Sequence, residues 1–134
     1  MPGVVADTHT IVWYLSQDSR LSLAAHEALT TATTGGDLIH IPSICLVELT
    51  YLAEKGRLPP AAREELIEAL DDPAGPCTLV PLDRLVAEAL QLVQRNEVPD
   101  LPDRIVAATA LATLRVPLIS RDRKIRASQV HTIW

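Results

Sequence analysis

Four acids carry the chemistry that this sequence offers: Asp7, Glu48, Asp103 and Asp122. Asp7 closes the short apolar run Val4-Val5-Ala6. Glu48 has Ile44, Cys45, Tyr51 and Leu52 as its helical neighbours three and four residues away, so its face is apolar rather than solvated. A carboxylate in such surroundings is costly to ionise unless something positive meets it. Asp103 opens an Ala-rich segment, and Asp122 follows Leu118-Ile119-Ser120-Arg121. If the four converge, each close pair repels by roughly 4 kcal/mol at an effective dielectric near 20, which is large beside a total stability of about 5–15 kcal/mol. A divalent cation offsets that repulsion, and an all-oxygen ligand set suits Mg²⁺ or Mn²⁺ better than Zn²⁺. Such an ion orients a phosphate, lowers the pKa of a water and stabilises a leaving oxygen, the requirements of phosphodiester hydrolysis.

Each acid also has a structural explanation. Asp7 can cap a helix that begins at Ile11 or just before it, and Asp122 can cap the turn at Lys124 or pair with neighbouring arginines. Asp100-Leu101-Pro102-Asp103 resembles a capping arrangement with Asp100 at the N-cap. Glu48 can pair with a buried arginine. Thr8 and Ser120 stand beside or near two of the acids, where their hydroxyls can hold ligand waters or a phosphate oxygen; local capping is the alternative for Thr8.

The elements that must position these groups alternate between strands and helices. Val4-Val5 predicts a strand covered on both faces, followed by a short helix through Leu15. Ser22 caps a helix over Leu23 to Thr33, closed by Gly35-Gly36, and Leu38 to Ile41 is the next strand. Ser43 is placed to cap a helix running to about Lys55, and Pro59-Pro60 opens a more polar one ending near Asp72. Thr78 to Leu82 reads as a third strand whose Pro81 suits a sheet edge. Asp83 caps a helix through roughly Arg95, and the segment Ile105 to Leu114 is helical. Leu118 to Ser120, a short basic turn and a last strand from His131 to Trp134 complete the series. This alternation predicts an α/β fold, a parallel β-sheet flanked by helices on both faces. In that layout all four acids fall at the carboxyl edge of the sheet, where open α/β sheets place their ligands.

The chain has 134 residues and 48% hydrophobic content, which predicts one domain over residues 1–134. It contains neither a run long enough to span a membrane nor a basic-then-apolar leader, so a cytoplasmic location is expected. Cys45 and Cys77 lie in apolar surroundings and read as reduced core residues, with no structural zinc site expected. The net charge of −5 argues against a polyanionic partner, but its distribution does not. Acids crowd Glu64 to Asp72, whereas Arg121, Arg123, Lys124 and Arg126 bracket Asp122. That cluster is either a solvated face or the surface that draws a polyanion to an acidic pocket.

Taken together, Val4-Val5-Ala6-Asp7-Thr8-His9, Pro42-Ser43 through Val47-Glu48-Leu49, Pro102-Asp103-Arg104 through Ala110, and Leu118 through Asp122 resemble the PIN-domain ribonucleases, especially the VapC-type toxins of bacterial toxin–antitoxin pairs. The resemblance spans essentially the whole chain. It implies a Mg²⁺- or Mn²⁺-dependent endoribonuclease with a PIN-like α/β/α sandwich, acting on RNA and held inactive by a cognate antitoxin. Carried over, Asp7, Glu48, Asp103 and Asp122 match the acidic catalytic and metal-binding set, and Ser120 the small hydroxyl residue before the last acid. Arg121, Arg123, Lys124 and Arg126 would then contact RNA. His9 departs from the Ser or Asn common two places after the first acid. The resemblance further implies a homodimer and an antitoxin groove near the first helices, where Trp13, Tyr14 and Leu15 form an apolar patch or simply belong to the core. With only 3% aromatic residues, recognition by phosphate contacts and substrate shape is expected over extensive base stacking.

Three other readings compete. A catalytically silent module would bind antitoxin or RNA through the same surface. A receiver-type signalling domain also gathers acids around Mg²⁺, but needs adjacent acids after the first strand, where Asp7 stands alone. A haloacid-dehalogenase-like phosphatase needs an acid two places after Asp7, and His9 occupies that position.

Overall fold

Val4, Val5 and Ala6 form the central strand β1, and all three are buried, as an apolar run covered on both faces requires. The computed structural model describes residues 3–113 and 115–134. Strands β2 (Ile39–Pro42), β3 (Cys77–Val80), β4 (Leu118–Ile119) and β5 (Thr132–Ile133) complete one sheet in the order β3-β2-β1-β4-β5. Every pairing is parallel, with Val5 opposite His40 on one side and Leu118 on the other. Helices α1 (Thr8–Leu15), α2 (Leu23–Thr34), α3 (Ser43–Glu54), α4 (Pro60–Asp71), α5 (Arg84–Ala89), α6 (Leu101–Ala112) and α7 (Arg123–Ala127) connect and flank the strands. This is the α/β architecture predicted from the alternation.

The strand order decides where a site can form. The chain builds outward from β1 through β2 to β3, then returns to the opposite side of β1 for β4 and β5. The seam between β1 and β4 is therefore the point where the winding reverses, and crevices at such points lie beyond the carboxyl ends of the strands. Asp7 follows β1 there, and Ser120 follows β4.

Several local expectations change. Ser43 is not a cap: β2 runs directly into α3, Pro42 occupies the N-cap without a side-chain bond, and Ser43 Oγ accepts from the Leu82 amide at 3.1 Å. β3 stops at Val80, before Pro81, and does lie at a sheet edge. The helix expected to reach Arg95 ends at Ala89 and tightens into a 3-10 turn at Leu90–Leu92. The Arg104 guanidinium reaches from α6 to the Leu90 and Val93 carbonyls, which satisfies groups the helix would otherwise have continued to use. The basic turn after β4 is the helix α7, anchored by buried Ile125; five residues are too few for its periodicity to be visible. The Ala-rich helix ends at Ala112, and Leu114 lies outside the described residues.

Candidate active site

Asp7 leaves β1 with extended backbone and caps α1, its Oδ1 accepting from the Thr8 amide at 2.7 Å. Capping leaves its other oxygen for a longer-range partner. Ser120 Oγ donates to Asp7 Oδ2 at 2.7 Å, and Ser120 is fully buried. The Thr8 hydroxyl donates to Glu48 Oε1 at 2.9 Å, so one threonine links the first acid through its amide to the second through its side chain. Both hydroxyls thus hold carboxylates directly, rather than standing free for waters or phosphate. Glu48 pairs with no arginine among the described residues.

Asp100 caps α6 by accepting from the Asp103 amide, and this releases the Asp103 side chain from capping. Asp122 caps α7 through Oδ1 alone, which accepts from the Lys124 and Ile125 amides at 3.0 and 2.9 Å. Capping and site chemistry are therefore compatible, since two-oxygen groups retain acceptor capacity after either bond. Asp7, Glu48, Asp103 and Asp122 line one cleft of about 270 Å³, together with Thr8, His9, Thr10 and Arg121.

The electrostatics follow from that crowding. Burial pushes the Asp7 carboxyl above its ordinary range, opposed by the Ser120 and Thr8 hydrogen bonds. Burial also raises Glu48, opposed by the Thr8 hydroxyl and reinforced by the charge of Asp7. Asp103 is pushed up to about 7, first by burial and then by the charges of Asp122, Asp7, Asp100 and Glu48. Nothing in the cleft answers these carboxylates with an ion pair among the described residues. One ligand atom each from Asp7, Glu48 and Cys45 lies within 4.8 Å of the others. Burial raises the Cys45 thiol well above its usual value, and the thiol donates to the Ala6 carbonyl, so the thiol stays protonated and oxygen atoms remain the available donors. That set fits a hard divalent cation.

Sequence reasoning placed Cys45 correctly in the core but missed its nearness to the acids. The signal was available, because Cys45 and Glu48 are three residues apart on one helix and share a face. Trp13, read as apolar patch or core, is core; what the sequence did not reveal is that its ring carries the Arg121 guanidinium at 4.6 Å. His9 reaches the surface in the same cleft, with its ring 5.5 Å from that of Trp13. Arg121, Arg123, Lys124 and Arg126 line an adjoining groove of about 790 Å³ with Asp100, Asp103, Asp122 and Trp134. Tyr14 and Leu15 are half-buried against the core, and Trp13 and Tyr14 also line a cleft between α1 and α2.

Residues 4–129 match the PIN domain family. Ribonuclease VapC22 of Mycobacterium tuberculosis is 28% identical over 137 residues, with the whole of both chains covered. Among solved structures, VapBC2 from Rickettsia felis bound to a promoter DNA fragment superposes with a TM-score of 0.69 at 16% identity, covering 98% of each chain. A toxin–antitoxin complex from Klebsiella pneumoniae gives 0.68 at 24% identity, covering 98% of this chain and 97% of that one. These solved structures share the fold.

Proposed function

The chain belongs to the PIN domain family, and from that premise we propose that residues 1–134 form a divalent-metal-dependent endoribonuclease acting as the toxin of a toxin–antitoxin pair. One observation carries the reading: four carboxylates from four separate elements line a single cleft, and none of them forms an ion pair among the described residues. The relative named a ribonuclease and the solved neighbour described as a toxin–antitoxin complex support the same assignment.

Asp7, Glu48, Asp103 and Asp122 would hold the ion, Mg²⁺ or Mn²⁺. When bound, it supplies charge to orient the phosphate, to acidify a water and to steady the leaving oxygen. The protein's share is preorganisation. Ser120 and the Thr8 amide set the plane of the Asp7 carboxylate, and the Thr8 hydroxyl sets Glu48. Such outer partners hold ligands ready, so that little reorganisation accompanies reaction. Asp103 exchanges its proton near neutrality until positive charge enters the cleft, which favours the ionised form.

Arg121, Arg123, Lys124 and Arg126 would draw the RNA backbone to the acidic pocket, with electrostatic attraction supplying most of the affinity. The cognate antitoxin would be a protein partner, and a second copy of the chain would cover Val47 and Tyr51, which are 61% and 56% exposed one turn apart on α3. No helix among the described residues is long and apolar enough to cross a membrane, which accords with action in the cytoplasm. The direct test supplies Mg²⁺ or Mn²⁺ to antitoxin-free protein and a panel of structured RNAs. Cleavage lost in Asp7→Asn supports the reading; intact RNA, or equal cleavage by Asp7→Asn, overturns it in favour of a silent binding module.

A further inference from the structure

The four basic residues beside the site are not equivalent. Of the four, only Arg121 lines both the acid cleft and the basic groove. It stands between Ser120, which holds Asp7, and Asp122. A guanidinium so placed would ordinarily collapse onto a carboxylate, yet Arg121 forms no ion pair among the described residues. Its Cζ lies over the Trp13 ring at 4.6 Å instead. The face of an indole attracts a cation through its quadrupole while leaving every N–H of the fork free for another acceptor.

Trp13 is itself held firmly. It is 2% exposed, and the rings of His9 and Trp134 lie 5.5 and 6.0 Å away. A second guanidinium, that of Arg20, sits over the same ring at 5.1 Å, but it is committed to Asp18 at 2.7 Å. Of the two cations on this platform, one is spent on a carboxylate and one is left free beside the acids.

We propose that Trp13 is a positioning residue that holds Arg121 over the acid cleft, so that its guanidinium receives the scissile phosphate of the RNA while Arg123, Lys124 and Arg126 serve backbone attraction only. The proposal rests on the nuclease reading and deepens it. It separates the cluster into a reaction-centre contact and a steering surface. Bidentate guanidinium contact with a phosphate depends on orientation, which a free surface arginine must otherwise lose entropy to achieve.

The sequence contains two tryptophans, so Trp134→Phe leaves Trp13 as the sole indole. In that background Arg121→Gln should alter the Trp13 emission intensity or maximum; an unchanged spectrum overturns the contact. Kinetics at saturating RNA with Mn²⁺ form the second arm. Arg121→Gln and Trp13→Leu should each lower kcat by about a hundredfold to a thousandfold with KM little changed, the scale of losing one preorganised charge contact. The double variant should be no worse than Arg121→Gln, and Trp13→Phe, which keeps an aromatic face, should stay within about threefold of the unaltered protein. Multiplicative losses overturn the coupling. Should Trp13→Leu fail to fold by circular dichroism, the Trp13 emission change and the kcat loss of Arg121→Gln decide the proposal between them, and absence of either overturns it. Absence of cleavage by the unaltered protein defeats the nuclease reading and the phosphate role with it. Normal cleavage that Arg121→Gln leaves intact defeats this inference alone.

Discussion

Ser120 Oγ and Asp7 Oδ2 meet at 2.7 Å although the residues are 113 positions apart in the chain. The bond ties the carboxyl end of β4 to that of β1, and it opposes the rise that burial imposes on the Asp7 carboxyl. Ser120→Ala removes the donor without disturbing the Thr8 amide contact. The Asp7 pKa should therefore climb, and the acidic limb of the cleavage profile should shift to higher pH. At neutral pH, cleavage should fall about tenfold to a hundredfold, the usual range for an outer partner of a metal ligand. A pH–rate profile of the variant beside the unaltered protein provides the check, and an unmoved limb counts against Asp7 as the group observed.

Asp122 both caps α7 and faces the cleft, and two substitutions separate the roles. Asp122→Asn retains a capping oxygen but loses the charge, so the protein should melt close to the original temperature while cleavage drops at least a hundredfold. Asp122→Ala should lose cleavage and, in addition, about 1 kcal/mol of stability from the missing cap. Thermal melts paired with cleavage assays distinguish the outcomes. Equal melting of the two variants would show that the cap contributes nothing.

Asp103 gives the metal-free protein a pH-dependent stability. Its folded pKa of about 7 lies above its ordinary value of 3.8, so within that window the folded state binds more protons than the unfolded one. Stability must then fall as pH rises from near 4 through 7 and level off above. Asp103 is half-buried, and solvent screening limits the effect to a few degrees of melting temperature. Asp103→Asn should flatten that slope and raise the metal-free melting temperature at pH 8. Millimolar Mg²⁺ or Mn²⁺ should restore stability to the unaltered protein but not to the variant.

Phosphate contacts by the basic groove should appear in the salt dependence of RNA binding. Replacing Arg123, Lys124 and Arg126 together by Gln removes three cations from the groove lining. For a single strand this should reduce the slope of log affinity against log salt by about 2, while kcat at saturating RNA changes little. Filter binding across a salt series with Asp7→Asn, which prevents turnover, measures the slope. An unchanged slope would place the RNA elsewhere.

Helix starts were legible where one side chain announces them. Ser22, Asp83 and Asp100 each cap the helix expected of them, because a cap is a local event between residues two or three apart. The parallel sheet was legible from buried apolar runs alternating with helical segments. Ser43 failed as a cap since nothing local reveals that β2 enters α3 without a connecting residue. The shortening of α5 depends on Arg104, which acts from a different helix. The four acids could be selected by neighbours and position, but what orients them could not. Thr8 reaching Glu48 joins α1 to α3, and Ser120 reaching Asp7 joins two strand ends; both contacts are visible only after the strand order is known. Trp13 looked like core, and it is core; that its ring also carries Arg121 depends on the packing of α1 against the exit from β4.

The placement of β4 beside β1 has a consequence during synthesis. Asp7 and Glu48 belong to segments that emerge early, but the seam facing β1 stays vacant until residues 118–122 have left the ribosome. Until then Asp7 lacks the Ser120 hydroxyl, and the cleft has neither Asp122 nor Arg121. A chain that reaches only to the end of β3 thus lacks Arg121 and Asp122 from the cleft lining, and the hydroxyl that holds Asp7. The long sequence separation that makes the site slow to assemble also keeps the cleft incomplete until β4 has docked beside β1.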